Sequence, residues 1–126
     1  MNEKGVRLES KGRTTVAYVS GDVDHHTARA IRAAIDREIN QGSPELLVID
    51  MEGVSFMDSS GIGLIMGRYK LMSDIGGRII VARPPEYIRK VLRLAGVDKL
   101  GTITDREYVL EEKEAERLEQ TAGQTN

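Results

Sequence analysis

Val54-Ser55-Phe56-Met57-Asp58-Ser59-Ser60-Gly61-Ile62-Gly63-Leu64-Ile65-Met66-Gly67-Arg68-Tyr69-Lys70 joins a buried strand to an amphipathic helix, and its reading decides the fold. Asp58 or Ser59 can cap a helix that begins around Ser60, where free backbone N–H groups and the helix dipole favour negative charge. Gly61 and Gly63 let another chain approach the exposed turn closely. Two hydroxyls at such an end can hold a phosphate, as a ligand, a reaction intermediate or a covalent mark. Ordinary capping explains the same residues, and spacing alone does not choose Ser59 over Ser60.

Working outward, Leu46-Leu47-Val48-Ile49 is a continuous apolar run, as expected of a strand buried on both faces at the centre of a sheet. The helix after the turn runs through Ile62, Ile65, Tyr69 and Met72 until Ile75-Gly76-Gly77 stops it. Upstream, Val6 and Leu8, then Thr14, Val16 and Tyr18, alternate with polar neighbours around Lys11-Gly12, which predicts a β-hairpin. From about Asp24 to Gln41 the period becomes 3.6, with Ala28, Ile31, Ile35 and Ile39 on one face and Arg29, Arg32, Asp36 and Arg37 elsewhere. Gly42 and Pro44 end that helix.

Downstream, Arg78 to Arg83 predicts a strand broken by Pro84-Pro85, and Pro85 opens a helix whose Ile88, Val91, Leu92 and Ala95 lead to Gly96. Thr102-Ile103-Thr104 is a short strand. Asp105 is then expected to cap a last helix, Arg106 to about Glu119, docked by Val109, Leu110 and Leu118. The pattern is α/β: a mixed sheet with an N-terminal β-hairpin as antiparallel edge, parallel strands joined by right-handed crossovers, and about four helices. One domain over residues 1–119 and a flexible tail over 120–126 are expected.

The chain has 126 residues, 40% hydrophobic and 30% charged, which suits one domain with one core. With no Trp and one Phe it offers no aromatic platform for stacking bases, so nucleic-acid binding is not expected. Residues 105–119 hold seven acidic groups against three basic ones, a balance of −4 that leaves +2 for the rest of a chain whose net charge is −2. The Glu111 to Arg117 run reads as a solvated helix face. No apolar run is long enough for a membrane, the N-terminus lacks the apolar core of a signal peptide, and the expected location is the cytoplasm. Zero cysteines remove thiolate chemistry from consideration.

A second block, Gly21-Asp22-Val23-Asp24-His25-His26-Thr27-Ala28, precedes the first helix. Together with Phe56-Met57-Asp58-Ser59-Ser60-Gly61-Ile62-Gly63 and Gly67-Arg68-Tyr69-Lys70, it resembles the STAS-domain anti-sigma factor antagonists, and within them the sporulation type that frees a forespore sigma factor. The resemblance spans about Val6 to Ile103. It implies a STAS fold and a regulatory protein without catalytic activity or cofactor. It implies that Ser59 is phosphorylated by a partner that is both serine kinase and anti-sigma factor. The unphosphorylated form would bind that partner and displace the sigma factor, and a PP2C-type phosphatase would restore the hydroxyl. Asp24, His25 and Thr27 become partner-facing candidates beside Met57, Asp58, Ser60, Gly61 and Gly63.

The residues agree with the role of substrate. A serine hydroxyl is a poor nucleophile without a positioned base, and the motif supplies neither His nor Lys. The alternatives are a STAS interaction module of another signalling pathway and a nucleotide- or phosphate-binding protein, the latter lacking a Gly-rich loop followed by Lys-Ser or Lys-Thr. His25 and His26 with Asp22 and Asp24 invite a metal, but neighbouring helical positions diverge and no third ligand stands at fixed spacing, so no metal is expected. Asp50 resembles the acceptor of a response-regulator receiver, yet the acidic pair such a domain needs is absent from the hairpin; a polar strand end is the simpler reading. Arg68 and Lys70 read as solvated, with Tyr69 in the core, the alternative being that Arg68 or Lys70 pairs with acidic groups on the kinase.

Overall fold

The computed structural model describes residues 2, 3 and 5–110, with side chains from residue 5 onward. Its strands are β1 (Asn2–Glu3), β2 (Val6–Lys11), β3 (Thr14–Val23), β4 (Leu46–Met57), β5 (Arg78–Ala82) and β6 (Thr102–Thr104). Its helices are α1 (His25–Gly42), α2 (Ser59–Asp74), α3 (Glu86–Leu94) and α4 (Val97–Leu100). The strands lie in chain order across one six-stranded sheet. β1, β2 and β3 pair antiparallel, while β3 to β6 pair in parallel, so the hairpin forms the antiparallel edge and β4 lies inside the sheet.

Alternation along the strands divides the sheet into two faces. Leu47, Ile49 and Met51 of β4 join Ala17 and Val19 of β3 and Ile79 and Val81 of β5, and all four helices pack on this side through residues such as Ile31, Ile35, Ile65, Met72, Ile88, Leu92 and Val97. The opposite face carries Val16, Val48 and Ala82, flanked by Tyr18 and Ile80, and is covered in part by Tyr108 and Leu110. The molecule is therefore a two-layer α/β sandwich with its main core under the helices.

Three elements differ from the sequence reading. β4 continues eight residues past Ile49 to Met57: Asp50 still pairs with Ala82 of β5, and beyond it the strand pairs with β3 as far as Val23↔Met57, through two register shifts near Tyr18/Ser20 and Gly21/Asp22. α4 is an extra turn, made where Gly96 adopts φ 85° and breaks the apolar stripe of α3. The helix expected from Arg106 does not start there: residues 105–109 are not helical. Arg106 N–H donates to Thr104 Oγ1 (3.2 Å), Glu107 lies 3.6 Å from the Arg83 guanidinium, and Leu110 is buried on the open sheet face. The chain is thus drawn across the sheet instead of coiling away from it. The expected Glu111–Glu119 helix, the docking of Leu118 and the tail over 120–126 lie outside the described residues.

Asp50 is corrected as well. It is no strand end but an interior residue of β4, 3% exposed, with Oδ2 accepting from Arg83 Nε at 2.9 Å. Burial of the carboxylate is tolerable because a cation meets it. Arg83 also bonds Glu52 (2.7 Å), and the hydrogen bond to Asp50 is the main reason its guanidinium binds its proton more firmly than usual.

Candidate functional site

The two blocks of the sequence meet at the C-terminal ends of the parallel strands β3 and β4, the side of an open α/β sheet where ligands commonly bind. Asp22 pairs with Phe56 and Val23 with Met57 in register. Asp58 N–H donates to Val23 C=O (3.1 Å), so the N-termini of α1 and α2 are fixed side by side.

Asp24 is the N-cap of α1 in a reciprocal capping box. Its Oδ1 accepts from His26 N–H (2.9 Å) and Thr27 N–H (3.0 Å), and Thr27 Oγ1 accepts from Asp24 N–H (2.9 Å) while donating to Asp22 C=O (2.7 Å). These bonds, the Thr27 N–H first, hold the Asp24 carboxyl below the usual carboxylate range. Thr27 is therefore half-buried and committed to the cap, whereas His25 is exposed and its ring lies 4.0 Å from that of His26.

Asp58 is the N-cap of α2, which settles the capping choice left open by the sequence: Oδ1 accepts from Ser60 N–H at 2.8 Å and the helix starts at Ser59. Ser59 is exposed, and its hydroxyl meets no hydrogen-bonding group among the described residues. Ser60 is half-buried. The next donor, Gly61 N–H, is taken by Asp58 C=O at 3.0 Å. Neither serine hydroxyl is hydrogen-bonded among the described residues, and of the two Ser59 is the exposed one, directly after the capping carboxylate of Asp58.

The two glycines differ. A Cβ on Gly63 would meet nothing within 4 Å, and the residue is exposed, as a close-approach position requires. Gly61 is buried: a Cβ there would lie 2.2 Å from Met57 Cγ and 2.4 Å from Met57 Sδ. The space that Gly61 leaves is filled from within by Met57, so Gly61 offers no outer surface. Met57 itself is half-buried against the main core.

Arg68 is the other correction. It is 7% exposed, and its Nε lies 2.8 Å from Asp36 Oδ1, joining α2 to α1. The atoms are out of line for a hydrogen bond, and Nη1 has no hydrogen-bond partner among the described residues. Burial lowers the Arg68 pKa, Asp36 opposes that, and nearby Arg32 adds to it. Lys70 is solvent-exposed, 3.8 Å from Asp74, and Tyr69 packs half-buried on the core. Arg29 and Arg32, which the sequence offered only as polar-face residues, line a groove between α1 and α2 with His25, Ser60 and Arg68. Their spacing with His25 was the available signal; the pairing of α1 with α2 was not. Phe56 and Tyr87 were also passed over: each is 49% exposed, and Tyr87 Oη donates to Ser55 C=O at 2.8 Å.

Residues 6–109 match the STAS domain model. The chain is 40% identical over 92 residues to the anti-sigma F factor antagonist of Lysinibacillus sphaericus, covering 72% of this chain and 79% of the relative. The structure resembles the anti-sigma factor antagonist SpoIIAA in its unphosphorylated form, at a TM-score of 0.67 and 34% identity, over 90% of this chain and 97% of that one. It resembles the Bacillus cell fate determinant SpoIIAA in the phosphorylated form to the same degree, TM-score 0.67 and 34% identity over 90% and 98%. The chain belongs to the STAS domain family, among its anti-sigma factor antagonists.

Proposed function

We propose that the chain is the antagonist in a sporulation partner switch, regulated at Ser59. In the unmodified state the Ser59 face docks on an anti-sigma factor that is also a serine kinase, and the sigma factor is released. Phosphorylation at Ser59 ends docking, and a PP2C-type phosphatase restores it. The observation that carries this reading is the exposed, unbonded hydroxyl at the first position of α2, beside two capped helix starts.

The charge argument gives the switch its size. A hydroxyl that accepts phosphate must approach the phosphate end of the partner's nucleotide. Once esterified it carries about −1.5 to −2 charge and collides there by bulk and by like charge. Two unit charges ~4 Å apart at an effective dielectric near 20 differ by roughly 4 kcal/mol, about a thousandfold in affinity, which is the upper end of the effect. No refolding is needed, and a relative similar to this structure to the same degree in both forms supports a rigid domain.

The test mixes the protein with ATP and the anti-sigma F factor of Lysinibacillus sphaericus, then maps the modified residue by mass spectrometry. Modification at Ser59 is expected. Phosphate on Ser60 alone, or hydrolysis of ATP by the isolated chain, would overturn the proposal.

A further inference from the structure

The groove between α1 and α2 begins at Ser60 and His25, next to Ser59, and has a volume of about 410 Å³. One side is built from a single stripe of α1: His25, Arg29 and Arg32 fall at i, i+4 and i+7 and so share a helix face. The other side is α2, where Gly63 and Gly67 add no side chain and a Cβ on either would meet no atom within 4 Å. The groove is therefore open because α2 is bare there, and its walls are cationic because α1 is not. Among the described residues, no carboxylate lines it.

Two of its three arginines have no anionic partner among the described residues. Arg29 and Arg32 are exposed and neither forms an ion pair among the described residues. The third, Arg68, has a side chain 9% exposed, with Asp36 as its one counter-charge and Nη1 unbonded. Three guanidinium groups with Asp36 as the one carboxylate paired to them are unfavourably crowded in the free protein, and a ligand that brings further negative charge relieves them. Arg guanidinium groups suit planar carboxylates, which they bind in a bidentate fork.

We propose that this groove receives acidic side chains of the same partner that docks at Ser59, with Arg29 and Arg32 as the recognising cations. The inference rests on the partner-switch reading. The occupant is taken to be the docked protein because Ser60 and His25 belong to both surfaces, so a macromolecule seated on Ser59 extends over the groove mouth. Ser59 then reports the phosphorylation state, while the groove sets charge complementarity and the rate of encounter.

The test measures affinity for the anti-sigma F factor of Lysinibacillus sphaericus by surface plasmon resonance at low and high salt. It compares full-length wild type, Arg29→Glu/Arg32→Glu, Arg29→Lys/Arg32→Lys and Ser59→Asp. Both arginines are exposed, so unchanged melting curves will show that the double variants fold. The expected result is a loss of at least about thirtyfold for the Glu pair, with a flattened salt dependence, and retention within about threefold for the Lys pair. Wild-type affinity in the Glu pair, with Ser59→Asp still defective, overturns the groove alone. So does protection of the groove by inorganic phosphate with partner binding unaffected by charge reversal. A wild type that fails to bind, or a Ser59→Asp variant that binds like wild type, overturns the switch and this inference with it.

Discussion

Replacing Gly61 by Ala tests how the Ser59 turn is held, because the structure predicts opposite outcomes for two glycines two residues apart. At Gly61 the new methyl would lie 2.2 Å from Met57 Cγ, 2.4 Å from Met57 Sδ and 3.3 Å from Val23 Cγ1. Carbon atoms rest about 3.5–4.0 Å apart, so Met57 must withdraw by more than ~1 Å from a position it fills against the core. Overpacking of this kind costs about 1–3 kcal/mol, offset by up to ~1 kcal/mol from the better helix propensity of Ala. A net loss of up to about 3 kcal/mol follows, at roughly 4–8 °C in Tm per kcal/mol for a domain of about 100 residues. At Gly63 nothing lies within 4 Å, the clash is absent, and the propensity gain of up to ~1 kcal/mol remains. Thermal unfolding of Gly61→Ala, Gly63→Ala and Met57→Ala/Gly61→Ala checks this, the last variant recovering part of the loss relative to Met57→Ala alone. Gly61→Ala melting at or above Gly63→Ala would refute the packing argument.

Three further outcomes follow from the same geometry. Asp24→Ala removes the capping box of α1 and lowers Tm at neutral pH. Because the folded state holds the Asp24 carboxyl below its usual value, its contribution is fully present above about pH 4 and is lost as pH falls through the lowered pKa, so acid titration of stability in Asp24→Ala will be shallower in that window. Arg83→Ala leaves the buried Asp50 carboxylate without its cation and costs about 3 kcal/mol in urea unfolding. Arg83 has φ 53°, so Arg83→Gly loses the same ion pairs yet remains about 1–2 kcal/mol more stable than the Ala variant. Ser59→Ala leaves Tm unchanged, since the hydroxyl is exposed and bonded to nothing described.

Where local chemistry decides structure, the sequence could be read directly. A cap at Asp58 or Ser59 was legible because a short polar side chain before an apolar-periodic segment can accept from the first N–H groups, and Leu46 to Ile49 lie in an inner strand because no other position suits so apolar a run. The same holds for the turn that exposes Ser59. Three-dimensional pairings were not legible. Asp50 looked like a strand end because its partner Arg83 is 33 residues away, and Arg68 looked solvated because Asp36 stands on another helix. Gly61 looked like an open approach until Met57 was found in the space its side chain would take. Arg106 to Val109 were misread as helical because capping and composition do not report the pull of Arg83 on Glu107 or of the sheet face on Leu110.

The account depends most on the Ser59 oxygen. Its direct measurement is the affinity of one protein preparation for the anti-sigma F factor of Lysinibacillus sphaericus in three successive states: unmodified, phosphorylated at Ser59, and treated with a PP2C-type phosphatase. The expected sequence is tight binding, a loss of at least about a hundredfold, and full recovery, with the backbone amide spectrum altered only near the start of α2. Equal affinity in the first two states would contradict the central claim.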